Sequence, residues 1–272
     1  MKKLSLFFLI CLGLGTFWSF LNLDAGTVTD VNLALEKPSL EALLGRDSLG
    51  RDLLMRILQG AQVSVGLGIA SSLMALLIGF SYGAFSALGT KSLDHLLMRV
   101  AEVLMSLPSL MLMAVLAMVL QTQIFESNLV LIFWVLALGS WMPIARLTRN
   151  LIVKEKSQEY AEAARAIGAG PVRIFLKHLL PNLASPLIVY WSLQVPHALL
   201  AEGLLSFLGF GVKSPGVSWG ALLQEGWKTL AQFPHLLLAP SAFLFLTILS
   251  INFLLEDFRK SMDPKLKWEK LP

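Results

Sequence analysis

The sequence predicts an all-α membrane protein with six transmembrane helices and both termini on the cytoplasmic side. Three observations carry that expectation. Of 272 residues, 56% are hydrophobic and 15% charged, with a mean hydropathy of +0.69; soluble domains run to about 45–50% apolar and about 25% charged. Leu4–Leu23 and Gly60–Gly89 carry no charge at all, and about 20 apolar residues suffice to cross a hydrocarbon core about 30 Å thick. Sixteen of the 22 Lys and Arg residues fall in segments that six spans place inside, and six in segments placed outside, as the positive-inside rule requires. An odd number of spans would put the two most basic segments on opposite sides. The net charge of +4 sits in those loops, so it calls for no nucleic-acid partner.

The first span follows Lys2 and Lys3 and reads as an uncleaved helix. Its apolar run is too long for a signal peptide, and Asn22-Leu23-Asp24-Ala25 offers no small-x-small site. Cys11 follows Ile10 inside the run, which is the wrong setting for a lipoprotein site. As the single Cys, it also excludes an intrachain disulfide and a Cys-based metal cluster. Asp24–Arg56 is polar and ends in LGRDSLGRDLLMR, Leu44–Arg56. Asp47 and Asp52 stand four residues before Arg51 and Arg56, which fits i,i+4 pairs on an exposed helix or an amphipathic segment at the membrane surface. Residues 1–59 are thus a helix plus an outer or interfacial segment.

The core is expected over 60–256. A second span lies within Val63–Phe85 and a third at about Leu96–Leu120, bent at Pro108. Glu102 lies in the third span with Arg99 one turn earlier, so its carboxylate either faces the cytoplasmic headgroups or pairs inside the bundle. A fourth span opens at Leu129–Ile144 and runs on toward Leu151, with Arg146 and Arg149 marking its cytoplasmic exit. The fifth, Leu183–Phe210, is interrupted by Pro186, Pro196, His197 and Glu202. His197 and Glu202, at i,i+5, do not share a face. They line a substrate path or close polar contacts with other helices. The sixth runs from Leu236 to Leu255, and 257–272 is a basic tail.

Between the fourth and fifth spans stands Glu159–Pro181, EYAEAARAIGAGPVRIFLKHLLP, the longest charged and polar run in the chain. It reads as two short helices. The Ala-rich first one favours helix, with Ser157 as N-cap and Glu159 in the first turn. Gly168 and Gly170 end it, Pro171 opens the next at N1, and Pro181 limits that one. Ala161, Ala164 and Gly168 fall at i, i+3, i+7. That face carries almost no side chain and invites another backbone to dock.

These residues carry a resemblance. Glu162-Ala163-Ala164, then Gly168, then Leu180-Pro181, resemble the EAA loop of bacterial ABC-importer permeases. His178, where that consensus often has Ile, resembles the dipeptide, oligopeptide and nickel group. Gly45, Asp47, Gly50, Arg51, Asp52, Arg56 and Gly60 match a run preceding the transporter core in that group, with Arg46 in place of Thr. Met98-Arg99, the acid at 102 (more often Asp), Pro108-Ser109, Ala201-Glu202, Leu205–Val212, Pro215 and Ser218-Trp219-Gly220 match further. Ser214 and Val217 replace prolines there. Asn252, Arg259 and Asp263-Pro264 resemble the closing motif, from which Leu255, Glu256 and Lys260 depart.

The resemblance implies the type I ABC-importer permease fold, with Glu159, Glu162 and Gly168 in a coupling helix that seats on an ATPase. It implies a second related permease completing the path, two ATPase subunits, and a periplasmic or lipid-anchored solute-binding protein. The setting it implies is the bacterial inner membrane and its lipid. Di- or oligopeptides are the first expected cargo, and nickel or a nickel chelate is the alternative. No cofactor is expected in this chain.

What is missing agrees. There is no G-x-x-x-x-G-K-[ST] for a nucleotide, no H-E-x-x-H, and the four His residues are scattered. No internal repeat of the kind that builds secondary transporters is visible. Gly79-Phe80-Ser81-Tyr82-Gly83 fits the G-x-S-x-G of hydrolases, which would make Ser81 a nucleophile and the protein a membrane-embedded hydrolase. That elbow needs a strand-to-helix turn. The same residues fit G-x-x-x-G, a close-packing motif of membrane helices.

Overall fold

The computed structural model describes residues 2–22, 26, 28–123, 127–213 and 216–262. Ser214, Pro215, Asp263-Pro264, Lys265, Lys267 and Lys270 lie outside them. The helices are α1 (Lys2–Leu21), α2 (Leu53–Leu88), α3 (Lys91–Met105), α4 (Ser109–Gln123), α5 (Asn128–Ser140), α6 (Met142–Lys156), α7 (Glu159–Ala166), α8 (Pro171–Ile174), α9 (Leu180–Leu205), α10 (Trp219–Lys228) and α11 (His235–Met262). Helices spanning Lys3–Leu21, Leu53–Leu88, Pro171–Phe210 and His235–Glu256 are long and apolar enough to cross a membrane. Two bent pairs, α3 with α4 and α5 with α6, bring the total to six if each is one span.

Helix α2 is the axis of the bundle. Its 36 residues rise about 54 Å at 1.5 Å each, well beyond the hydrocarbon thickness. Its buried positions are mostly small: Gly60, Ala61, Ser64, Gly68, Ser71, Ser72, Ala75, Gly79 and Gly83. A methyl group on Gly79 would stand 2.6 Å from the Trp141 carbonyl, and one on Gly83 2.3 Å from that of Ala145. The GFSYG stretch is therefore the close-packed seam between α2 and α6. Ser81 sits in mid-helix on the exposed side, with none of the strand-to-helix geometry a nucleophile elbow requires. On other faces of α2 pack α1, α5, α9 and α10. Helix α1 is held by Gln62 Nε2 donating to the Thr16 carbonyl (2.6 Å) and by Phe8 against Phe243 (6.3 Å between ring centres).

The third span departs from the sequence reading. The axis of α4 turns 96° from that of α3, far more than a proline kink. Pro108 has no N–H to give, and its ring pushes the preceding residue out of helical conformation. Ser106 caps α3 on the Glu102 carbonyl (3.0 Å), and the ladder restarts with Leu112 on the Pro108 carbonyl (3.1 Å). Helix α3 is thus a separate amphipathic piece. It is tied down by Asp94, which accepts from Ser86 (2.6 Å) and pairs with Arg149 on α6, and by Tyr82 donating to the Leu97 carbonyl (2.8 Å). The break between α5 and α6 is milder, 42°. Pro143, at the start of α6, is its sequence cause.

If the α2–α6 seam sets the fold, Gly83→Ala lowers the thermal stability of the detergent-purified protein by about 1–3 kcal/mol through overpacking. Gly66→Ala meets nothing within 4 Å and leaves it unchanged or slightly raised. Tryptophan fluorescence melts of the two variants check this.

Candidate functional site

Three polar constructions stand out on the bundle, one at each end of α2 and one inside. At its C-terminal end is the hairpin of α7 and α8. Its helix α7 ends as Gly168 allows. The Ala169 N–H donates to the Ala164 carbonyl and the Gly168 N–H to that of Arg165 (3.0 and 2.9 Å), with Gly168 at φ +85°. This is the Schellman arrangement, whose left-handed residue is glycine because a Cβ there is strained. Gly170 then caps α8 and Pro171 takes N1.

Three expectations need correction here. Gln158 is the N-cap of α7, while Ser157 ends α6 and donates to the Lys154 carbonyl (2.8 Å). Pro181 does not stop the second helix. Without an N–H for the carbonyl four residues back, it is accommodated by a widened π-turn at Phe175–Leu179 that leads into α9. The small face is also not free. Ala161 and Ala164 are buried against Ile152, Ile174, Leu179 and Leu183 of the same chain.

The free face is the other one. Glu159, Glu162, Ala163 and Gly168 are exposed. Beside them stand Ile167 (87% exposed), Val172 and Leu176. A cleft of about 410 Å³, lined by Leu88, Lys156, Arg165, Val172, Phe175 and Leu176 among others, opens at the same place. The hairpin is held rigidly behind that face. Tyr160 donates to Glu155 Oε2, accepts from Asn182 Nδ2 (3.1 Å), and has its ring 6.3 Å from that of half-buried His178. Burial, and then the Glu155 hydrogen bond, push the Tyr160 phenol above its ordinary pKa, so it stays a donor. Arg165 donates to the Lys156 carbonyl. Leu180 is half-buried and Pro181 exposed. Tyr160 and Asn182 were not singled out from the sequence; only their spacing across the Pro171 break could have hinted at a pair.

At the N-terminal end of α2 the motif Gly45–Gly60 turns out to be a folded clamp, neither an exposed helix nor an interfacial one. Gly45 (φ +81°) and Gly50 (φ +74°) make two tight turns; a Cβ on Gly50 would stand 1.9 Å from the Asp30 carbonyl. Asp47 accepts from the backbone of Leu49 and Arg51, from Arg51 Nε (2.7 Å) and from Arg56 Nη1 (2.7 Å). Arg56, 3% exposed, also donates to Glu225 of α10 (2.6 Å). Asp52 does not pair with Arg56. It caps α2 by accepting from the Met55 N–H (2.9 Å). Arg46, where the family pattern has Thr, pairs with Glu36 and donates to the Gly50 carbonyl (3.1 Å each). Glu225 carried no sequence signal, because its partner is 169 residues away.

Inside the bundle Glu202 is fully buried. Ser206 and Ser64 donate to its two oxygens (2.7 and 2.9 Å), and Ser64 accepts from the Trp219 N–H (3.1 Å). Trp219, itself buried, donates its indole N–H to the Ile57 carbonyl (2.9 Å). Glu202 is therefore the polar knot joining α2, α9 and α10. His197 lies on the exposed side of α9, opening on a polar niche with Gln194. Glu102 is on the exposed face of α3, 3.8 Å from Arg99, which is exposed as well. The structure thus separates the three intramembrane candidates. Among the described residues, no group of three or more His, Cys, Asp or Glu side chains is placed to hold a metal ion.

Comparison with known proteins agrees with this architecture. Residues 75–268 match the family model of the binding-protein-dependent transport system inner membrane component. The chain is 34% identical to the oligopeptide transport system permease protein OppC of Bacillus subtilis, over 91% of this chain and 79% of that one. It is 38% identical to the protein of the same name from Haemophilus influenzae (87% and 75% covered). It is 35% identical to the glutathione transport system permease protein GsiD of Pectobacterium atrosepticum (92% and 82%). Among solved structures, a chain of the inward-facing MetNI methionine ABC transporter superposes with a TM-score of 0.62 at 18% identity, covering 78% of this chain and 96% of that one. A chain of an amino acid ABC transporter gives 0.61 at 15% (76% and 94%). The fold is that of type I ABC-importer permeases.

The clamp generates a stability prediction. Arg56→Ala leaves buried Asp47 with Arg51 as its one guanidinium partner and takes from partly exposed Glu225 its nearest donor, and costs about 1–3 kcal/mol. Glu36→Ala, at a partly exposed pair, costs under about 1 kcal/mol. Thermal melts of the purified variants separate the two.

Proposed function

This chain belongs to the family of binding-protein-dependent transport system inner membrane components, and on that premise we propose that it is the membrane-spanning permease of an ATP-driven peptide importer in a bacterial inner membrane. The relatives named for oligopeptide and glutathione transport support the cargo class. The chain forms the translocation path with a second, related permease. Two ATPase subunits bind on the side of α7 and α8, and a periplasmic or lipid-anchored solute-binding protein delivers cargo at the side of α10. ATP hydrolysis belongs to the ATPase subunits and needs no cofactor here.

The observation that carries the reading is the hairpin. Its small face is locked onto the bundle through Ala161 and Ala164, while Glu159, Glu162, Ile167 and Val172 face outward. A force applied to that outer face passes through Tyr160, Glu155 and Asn182 to α6 and α9. Closure of the ATPases on nucleotide swings the hairpin, and α6 and α9 carry the motion to the path. This is two sites biasing one equilibrium.

Gly168→Leu strains the Schellman turn, since a side chain at positive φ costs about 1–2 kcal/mol. Glu162→Lys reverses a charge on the docking face. Uptake of a labelled tripeptide by vesicles holding the full complex should fall at least about tenfold in each, equivalent to about 1.4 kcal/mol, at equal amounts of inserted chain. Normal uptake by both variants refutes the coupling role.

A further inference from the structure

Both helix breaks meet at one place. Ser109, just past the break before α4, and Ser140 and Pro143, on either side of the break between α5 and α6, line a niche with Gln194 and His197 near the middle of α9. Its volume is about 210 Å³, and Met113, Gly139 and Ala201 complete the wall. Gln194 Nε2 donates to the Ser140 carbonyl at 3.3 Å, which satisfies one of the backbone groups the break leaves free.

Resting on the peptide-importer reading, we propose that this niche is a contact site for the uncharged main-chain amides of a peptide in transit, with its other wall supplied by the second permease. Three physical arguments lead there. Broken backbone and polar side chains at membrane depth persist only where they are buried in protein or line a water-filled cavity. Ser109 and His197 are exposed on the chain, so what covers them is water or a partner, and lipid is excluded by cost. The chemistry of the lining then selects the ligand. Two hydroxyls, a carboxamide and an imidazole both donate and accept hydrogen bonds, and no Asp, Glu, Lys, Arg or Cys joins them. That set matches a peptide C=O and N–H in any register. It gives a charged terminus no partner, and a single imidazole without carboxylate or thiolate is a poor site for a divalent metal. Size is the third argument. Enclosed small-molecule sites run to about 300–1,000 Å³, so this open niche is part of a site. Weak polar contacts let cargo leave as well as enter.

The test uses the whole transporter in inverted and right-side-out vesicles. Cys11→Ser removes this chain's only native thiol, and His197→Cys places one in the niche, with labelling read on this chain alone; Ser140→Cys is the second variant should the first not assemble. A membrane-impermeant charged methanethiosulfonate reagent reports the thiolate, which forms in water and not in hydrocarbon. Phe245→Cys, at an apolar position of α11 that is 63% exposed, is the apolar-surface control. The expected result is labelling of the niche thiol but not of the control, and slowing of that labelling by at least about fivefold when saturating trialanine is delivered during turnover, as occupancy by mass action requires. Labelling that trialanine leaves unchanged, in vesicles that import trialanine, overturns the proposal and leaves the importer reading standing. A niche thiol that resists labelling throughout turnover overturns it equally. Vesicles of the parental complex that fail to import any of a panel of labelled di- and tripeptides sink the importer reading itself.

Discussion

A helix in a bilayer gains little by covering its apolar side chains with other apolar side chains, because lipid is just as apolar. Cohesion has to come from close backbone packing and from hydrogen bonds, and in this chain both are concentrated on α2. Its small residues let α6 come within contact of the backbone at Gly79 and Gly83, and let the start of α10 do so at Gly60, where a Cβ would lie 3.2 Å from Ser218. Ser64 and Ser72, on the same helix, donate to Glu202 and accept from Trp191 (3.1 Å) respectively. Helices α1, α3, α5, α6, α9 and α10 pack directly on α2, and α4, α8 and most of α11 are placed through them.

The two ends of α2 are held in different ways. At the N-terminal end the grip is ionic and centred on buried Asp47 and Arg56. Asp47, Arg56 and Glu225 fix α10 across the chain, and Glu202 fixes it again from below through Ser64 and Trp219. At the C-terminal end the grip combines small-residue packing, single hydrogen bonds and the Asp94–Arg149 ion pair, with the outward face of α7 and α8 left exposed. A buried charge pair is strongly destabilising to break, whereas neutral contacts contribute about 1 kcal/mol each.

What the sequence made legible was local. Gly168 announced a helix end, Pro171 a helix start, and the charge-free runs the long spans. All of these are set by residues within a few positions of each other. The strength of the Pro108 break was not legible, because a proline marks a weak point and packing of α3 through Asp94 and Arg149 decides the angle. The i,i+4 spacing alone pairs Arg56 with Asp52. Asp52 instead caps α2, which left Arg56 to a glutamate distant along the chain. Glu202 and His197 looked alike as polar residues in one span. Only the packing of α2 and α10 distinguishes the buried knot from the residue that opens outward.

The central claim is that the outward face of α7 and α8 is where an ATPase seats. The most direct measurement is cross-linking from that face in native membranes. With Cys11→Ser, a thiol introduced by Ile167→Cys, at a position 87% exposed in the chain, is coupled to a short maleimide photo-crosslinker, and the adducts are identified by mass spectrometry. The account expects a P-loop ATPase subunit as the adduct, with a yield that changes when ATP is replaced by ADP. Membranes that still take up peptide, yet give no ATPase adduct from this position, would contradict it.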